Sequence, residues 1–180
     1  MAKILILFSS TDGHTRQVVD YMISKLPPEH AVTIENIDEE KAVQLESYDA
    51  VLMAASIRYG HFSKASIRFA NKNASTLNMM PSAFFGFCLT ARKPHKRTPE
   101  TNVYLRKFLQ RTGWSPKISA AIAGGLFYPR YKWFDRIAIQ MIMRMTGGET
   151  DTRKEIVYTD WTQVDDLTDR VHQIVAEAVS

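Results

Sequence analysis

Ile4-Leu5-Ile6-Leu7-Phe8 is an uninterrupted apolar run that stops at Ser9-Ser10-Thr11-Asp12-Gly13-His14-Thr15, with helical spacing directly after it. A run apolar at every position reads as a strand covered on both faces. A strand that feeds a tight turn and then an amphipathic helix is the opening unit of a parallel α/β sheet. The turn is also suited to an anion. The first N–H groups of a helix have no partners within it, and the helix dipole adds positive potential there. The hydroxyls of Ser9, Ser10, Thr11 and Thr15 supply further donors, and Gly13 permits close approach or a positive φ. No lysine lies in this turn, which points to a tightly held cofactor phosphate more than to a nucleotide being hydrolysed. His14 reads as a helix-start residue. Asp12, awkward beside a phosphate, is expected to turn outward and accept backbone N–H groups.

Strand and helix signals alternate along the rest of the chain. Val18, Val19, Met22, Ile23 and Leu26 mark one helical face that Pro27-Pro28 ends. Strands are expected over 31–37, 49–55, 82–89 and 118–123, and helices over about 63–77 and from Thr98-Pro99 to Gly113. A last helix carries Val164, Leu167, Val171, Ile174 and Ala178, with Asp160 and Gln163 at capping-box spacing. Five strands alternating with helices, without a repeat or linker, give one doubly wound parallel sheet of order 2-1-3-4-5. It forms a single domain over 1–180, with its ligand beside strands one and three. One excursion, about 124–155, interrupts the pattern near a short strand-like Ile156-Val157-Tyr158-Thr159. It is rich in aromatics and methionine and so is read as functional rather than disordered.

Three familiar ligands of such sheets are disfavoured. The sequence contains no GxxxxGK[ST] and no GxGxxG after the first strand. Ala55-Ser56 stands where a phosphoacceptor domain needs an aspartate. A mononucleotide with a terminal phosphate remains, and FMN fits best. After the third strand come Ser56, Ile57, Arg58, Tyr59 and Gly60. An aromatic side chain there suits stacking on a flat isoalloxazine, and the glycine admits its edge. His61 reads as a loop residue. The scattered histidines indicate no metal, and the single Cys88 reads as a small buried side chain.

From Arg92 to Arg144 there are 12 Lys/Arg against two acids, Glu100 and Asp135, a net +10, whereas the remainder is −6. Such asymmetry favours an anionic partner. No nucleic-acid motif accompanies it, and a nucleic-acid partner is not expected. Within this segment Lys132, Arg136, Gln140 and Arg144 recur every four residues amid Trp133, Phe134, Ile137, Met141 and Met145. This is an amphipathic helix with a wide apolar face, too short and too charged to span a bilayer. It is suited to the headgroup layer. A buried core helix or a homo-oligomer interface is the competing reading, and Asp135 inside the segment favours it. If the helix is a membrane contact, removing 131–145 is expected to leave flavin content unchanged. No basic stretch followed by an apolar signal core is found.

Ser9 to Thr15 resembles the phosphate loop of flavodoxins. Ser56-Ile57-Arg58-Tyr59-Gly60-His61, Ala91-Arg92-Lys93-Pro94, Tyr128-Pro129-Arg130-Tyr131 and Gly147 to Glu155 extend the likeness across nearly the whole chain. Together they resemble the flavodoxin-like, quinone-dependent protoporphyrinogen oxidases of bacterial haem biosynthesis. The resemblance implies a flavodoxin-like sheet with an insertion, FMN as cofactor, protoporphyrinogen IX as substrate and menaquinone or ubiquinone as acceptor. It further implies peripheral attachment to the cytoplasmic side of the cell membrane. Leu89, Thr90 and Ala91 join the expected cofactor contacts. Arg92, Lys93 and Arg97, which follow strand four, are expected to meet the substrate's propionates. A flavodoxin-type electron carrier and a pyridine-nucleotide:quinone reductase are the alternatives on the same sheet.

Overall fold

The structure, a computed structural model, describes residues 1–39 and 41–178. Strands β1 (Lys3–Ser9), β2 (Ala31–Asn36), β3 (Ala50–Ser56), β4 (Ser82–Phe87) and β5 (Ile118–Ile122) form one parallel sheet in the order β2-β1-β3-β4-β5. Alternation along each strand divides the core between two faces. Ile4, Ile6, Leu52, Ala54, Phe85 and Ile122 pack under helices α1 (His14–Lys25) and α6 (Trp161–Ala178). Leu5, Leu7, Val51, Met53 and Phe84 pack under α2 (Lys64–Lys72), α3 (Ala74–Met79) and α4 (Val103–Thr112). Both faces are therefore dry, which is why β1, β3 and β4 read as continuous apolar runs.

Several local expectations are corrected. The helix expected over 63–77 is broken at Asn73, whose amide donates to the Phe69 carbonyl at 2.9 Å. The next helix is not capped by Thr98. Asn102 is the cap, its Oδ1 accepting from the N–H groups of Tyr104 and Leu105. At the start of α6, Asp160 accepts from the N–H groups of Thr162 and Gln163, but the Gln163 amide donates to the Ala121 carbonyl instead of closing a capping box.

The excursion has a core and a closure of its own. Its two ends pair as an antiparallel ribbon, β6 (Gly125–Phe127) with β7 (Glu155–Val157). Between them runs α5 (Trp133–Thr146). Leu126, Phe127, Tyr128, Tyr131 and Met143 bury one another beside the main sheet. β6 escapes sequence reading because three residues are too few to show a period.

Candidate functional site

The carboxyl ends of β1 and β3 lie at the point where the strand order reverses, and the crevice above them is where such sheets bind ligands. A cavity of about 430 Å³ opens there. Its floor combines the turn after β1 (Ser10, Thr11, Asp12, His14, Thr15) with the turn after β3 (Ser56, Ile57, Arg58, Tyr59, Gly60) and the β4 end (Leu89, Thr90). A second cavity of similar size, between β2 and α2, takes in none of these residues.

The phosphate turn is built for an anion. Gly13 sits at the N-cap of α1 with φ 82°, and no side chain caps the helix. The first-turn N–H groups, which have no partner within the helix, therefore receive no side-chain cap. Ser10 Oγ is buried without a hydrogen-bond partner. An unpaired buried hydroxyl costs stability unless a ligand uses it, and a phosphate oxygen would be a fitting acceptor. The donors present, neutral and backbone-rich, fit the phosphate of FMN.

The turn after β3 is a tight two-residue loop in which Arg58 and His61 exchange backbone hydrogen bonds of 2.9 and 3.0 Å. Both central residues take the left-handed conformation, Tyr59 at φ 51° and Gly60 at φ 77°. Glycine adopts this freely, whereas tyrosine does so under strain that its surroundings must offset. Here the offset comes from outside the turn. Tyr59 Oη donates to Asp135 Oδ1 at 2.6 Å, and Arg58 Nη2 donates to Asp135 Oδ2 at 3.0 Å. Asp135 belongs to α5 and is only 7% exposed.

Electrostatics in the cavity are coupled across its walls. Burial pushes the Asp12 carboxyl above its ordinary value, with Arg58 and Arg130 opposing the rise. Arg58 Nη1 lies 3.9 Å from Asp12 Oδ1, so one guanidinium faces carboxylates on both the phosphate turn and α5. Burial holds the His14 imidazole below its ordinary range, with Gln17 working against the fall.

The sequence matches the flavodoxin domain family over residues 5–153, a span that runs from within β1 to the end of the excursion just short of β7. Protoporphyrinogen IX dehydrogenase [quinone] of Escherichia coli K12 is 53% identical over 163 residues, covering 90% of each chain. The protein of the same name from Leishmania major is 51% identical over 164 residues, covering 90% of this chain and 71% of its own. This chain belongs to the flavodoxin-like protoporphyrinogen IX dehydrogenase family. Solved structures bear out the fold. Oxidised flavodoxin 1 from Bacillus cereus superimposes with a TM-score of 0.52 at 16% identity, covering 98% of this chain and 97% of its own. The Streptococcus pneumoniae TIGR4 flavodoxin gives 0.53 at 12%, covering 98% and 99%. Family membership implies a flavin in the crevice.

The family's excursion contributes more to the site than sequence reading expected. Gly124, Gly125, Phe127 and Tyr131 line the cavity, as do Asp135, Ala138, Ile139 and Ile142 of α5. The helix is thus a wall of the pocket, and the expectation that 131–145 is dispensable for flavin content does not fit the geometry. Three of the expected cofactor residues are not among those lining the cavity: Ser9 donates to Asp38 at 2.6 Å, Gly13 is exposed at the cap of α1, and Ala91 is fully buried. Asp12 does not cap the helix but faces the cavity.

Of the residues expected to meet propionates, Arg92 and Arg97 are already engaged. Arg92 donates to the Leu89 carbonyl and to both the carbonyl and hydroxyl of Thr146, at 2.8–2.9 Å. Arg97 donates to Asp160 at 2.8 Å and to the Ala91 carbonyl at 3.1 Å. Only Lys93 of the three is exposed. Cys88 is buried as expected, with its sulfur 3.2 Å from Thr90 Oγ1, and also lines the cavity.

Proposed function

We propose that this protein is an FMN-dependent oxidoreductase that converts protoporphyrinogen IX to protoporphyrin IX and passes the electrons to a membrane quinone, menaquinone or ubiquinone. The observation that carries this reading is the joining, in one cavity, of an anion-binding turn, a ring-sized crevice and an apolar wall contributed by α5. The names of its relatives, half-identical over nearly the whole chain, supply the substrate and acceptor.

FMN supplies two-electron chemistry when bound, so the six-electron oxidation takes three turnovers. The chain's own residues bind, orient and exclude water. Ser10, Thr11, Thr15 and the α1 N-terminus hold the phosphate, and the Arg58–Gly60 turn sets the ring. Phe127, Tyr131 and Ile139 keep that side dry. Lys93, exposed after β4 while Arg92 and Arg97 are engaged elsewhere, is left to meet a substrate carboxylate.

A peripheral membrane seat belongs to the same reading. Trp133, Phe134, Ile137, Met141 and Met145 are 55–80% exposed along one side of α5. Lys132 and Arg144 flank them, exposed, where they can meet anionic headgroups. No helix among the described residues is long and apolar enough to cross a membrane. In this reading the flavin pocket lies beside the phase in which quinone and porphyrinogen dissolve, on the cytoplasmic side of the cell membrane. An electron carrier that docks through charge has no use for this face.

The test is anaerobic. Purified protein, protoporphyrinogen IX and a menaquinone or ubiquinone analogue are mixed, and protoporphyrin fluorescence is followed. Fluorescence growing only when quinone is present supports the proposal. A flavin-loaded protein that yields no porphyrin overturns the substrate, and rapid bleaching by NADH alone redirects the assignment to a pyridine-nucleotide reductase.

A further inference from the structure

The excursion helix is pinned at both ends to loops of the crevice. Near its start, Asp135 takes hydrogen bonds from Tyr59 Oη and Arg58 Nη2 in the turn after β3. At its end, the Thr146 carbonyl and hydroxyl take hydrogen bonds from Arg92 in the loop after β4. The pins are eleven positions apart, about 16 Å of helix, and the cavity-lining Ala138, Ile139 and Ile142 lie between them.

The two pins are not equivalent. Arg92 donates to the last carbonyl of α5, a common way to end a helix. Asp135 does more than supply a favourable first-turn charge to α5. It is a carboxylate, 7% exposed, on a helix whose outward face is apolar, and both its partners belong to the ring turn. That turn holds a tyrosine at φ 51°. A charge-assisted hydrogen bond from Tyr59 and an ion pair with Arg58 are what keep the tyrosine in this conformation.

We propose that Asp135 is a positioning residue for the flavin ring. By fixing Tyr59 and Arg58 from across the cavity, it makes the excursion an integral part of the cofactor site instead of an appendage to a finished flavodoxin. The inference rests on the FMN reading above. It predicts an effect confined to the ring end of the site, since Asp135 touches no group of the phosphate turn directly.

Apoprotein is titrated with FMN and, separately, with riboflavin, following quenching of flavin fluorescence, for the wild type, Asp135→Ala, Asp135→Asn and Thr11→Val. Asp135→Ala is expected to weaken both ligands by about tenfold or more, the range for losing hydrogen bonds to a charged group. The FMN-to-riboflavin ratio stays at its wild-type value. Asp135→Asn keeps an acceptor for Tyr59 and recovers part of the loss, and the shape of the bound flavin's absorption band shifts in the same order. Thr11→Val lowers FMN affinity alone. Wild-type affinities in Asp135→Ala overturn the proposal, as does a loss in either Asp135 variant that falls on FMN and spares riboflavin. Should Asp135→Ala fail to fold, the near-isosteric Asp135→Asn decides by the same ratio. A wild-type protein that binds neither flavin instead overturns the FMN reading itself.

Discussion

His14 Nε2 lies 2.7 Å from Thr159 Oγ1, and the Thr159 hydroxyl donates its only hydrogen to the Ala123 carbonyl, also at 2.7 Å. The threonine oxygen can then only accept from the imidazole, so Nε2 carries the ring hydrogen. This contact ties the phosphate turn to the segment that leaves β7. Burial keeps His14 below its ordinary value of 6.5. The unfolded chain therefore binds a proton that the folded chain resists, and stability falls as pH drops below about 6.5. Urea midpoints at pH 7.5 and 5.5 are expected to differ in that direction. His14→Gln, which keeps a donor but does not titrate, is expected to flatten the difference.

Arg97 is expected to behave as a structural arginine. It joins the loop after β4 to the cap of α6 through Asp160, whose carboxyl it holds below the ordinary range. Asp160 is more than a third exposed, so solvent screens the pair. Arg97→Ala is expected to cost about 1 kcal/mol in urea unfolding. It should leave the apparent KM for porphyrinogen near the wild-type value, whereas Lys93→Ala should raise it.

Gly86 lies where β4 passes beneath α4. A Cβ there would stand 2.4 Å from Leu105 Cδ1 and 2.8 Å from Phe62 Cζ, both on buried side chains. Phe62 in turn packs edge-on against Phe84 and Phe108. Gly86→Ala is expected to destabilise by about 1–3 kcal/mol, as overpacked cores do, and differential scanning calorimetry will register the lower transition temperature.

Trp133 and Phe134 stack on each other, centroids 3.9 Å apart, at the exposed start of α5. Neither lines the cavity. Replacing each with serine is expected to reduce co-sedimentation with anionic vesicles by about tenfold per residue, with flavin affinity unchanged. Unaltered sedimentation together with a smaller particle by size-exclusion chromatography would instead make this face an interface between two copies.

The sheet and the phosphate turn are legible in the sequence because their causes are local. Apolar runs such as 4–8 and 51–55 have no other use than a two-sided core. Gly13 between hydroxyl residues and a helix has few readings. The cap at Asn102 was less accessible, since Thr98-Pro99 offers equally good chemistry and only the tertiary position of α4 chooses between them. Arg92 and Arg97 mislead for a related reason. Basic residues beside a crevice look free until the carbonyls and carboxylates around them are known. Asp135 is the instructive failure: one acid in a segment of net charge +10 counts against a membrane-facing helix when composition is weighed. Its partners, Arg58 and Tyr59, lie more than seventy residues away in sequence, and no periodicity links them. Its rarity within the basic segment was the available signal.

Because β6 and β7 run side by side, the chain leaves the parallel scaffold and rejoins it at almost the same place. Closing such a ribbon fixes the geometry of departure and return, while the length of what lies between changes the entropy of closure only slowly. Segments of quite different size and chemistry can hang from that base without shifting any register in the five-stranded sheet. The rim beside the crevice is therefore a place where inserted chain can add walls to the cavity while the five-stranded scaffold stays as it is.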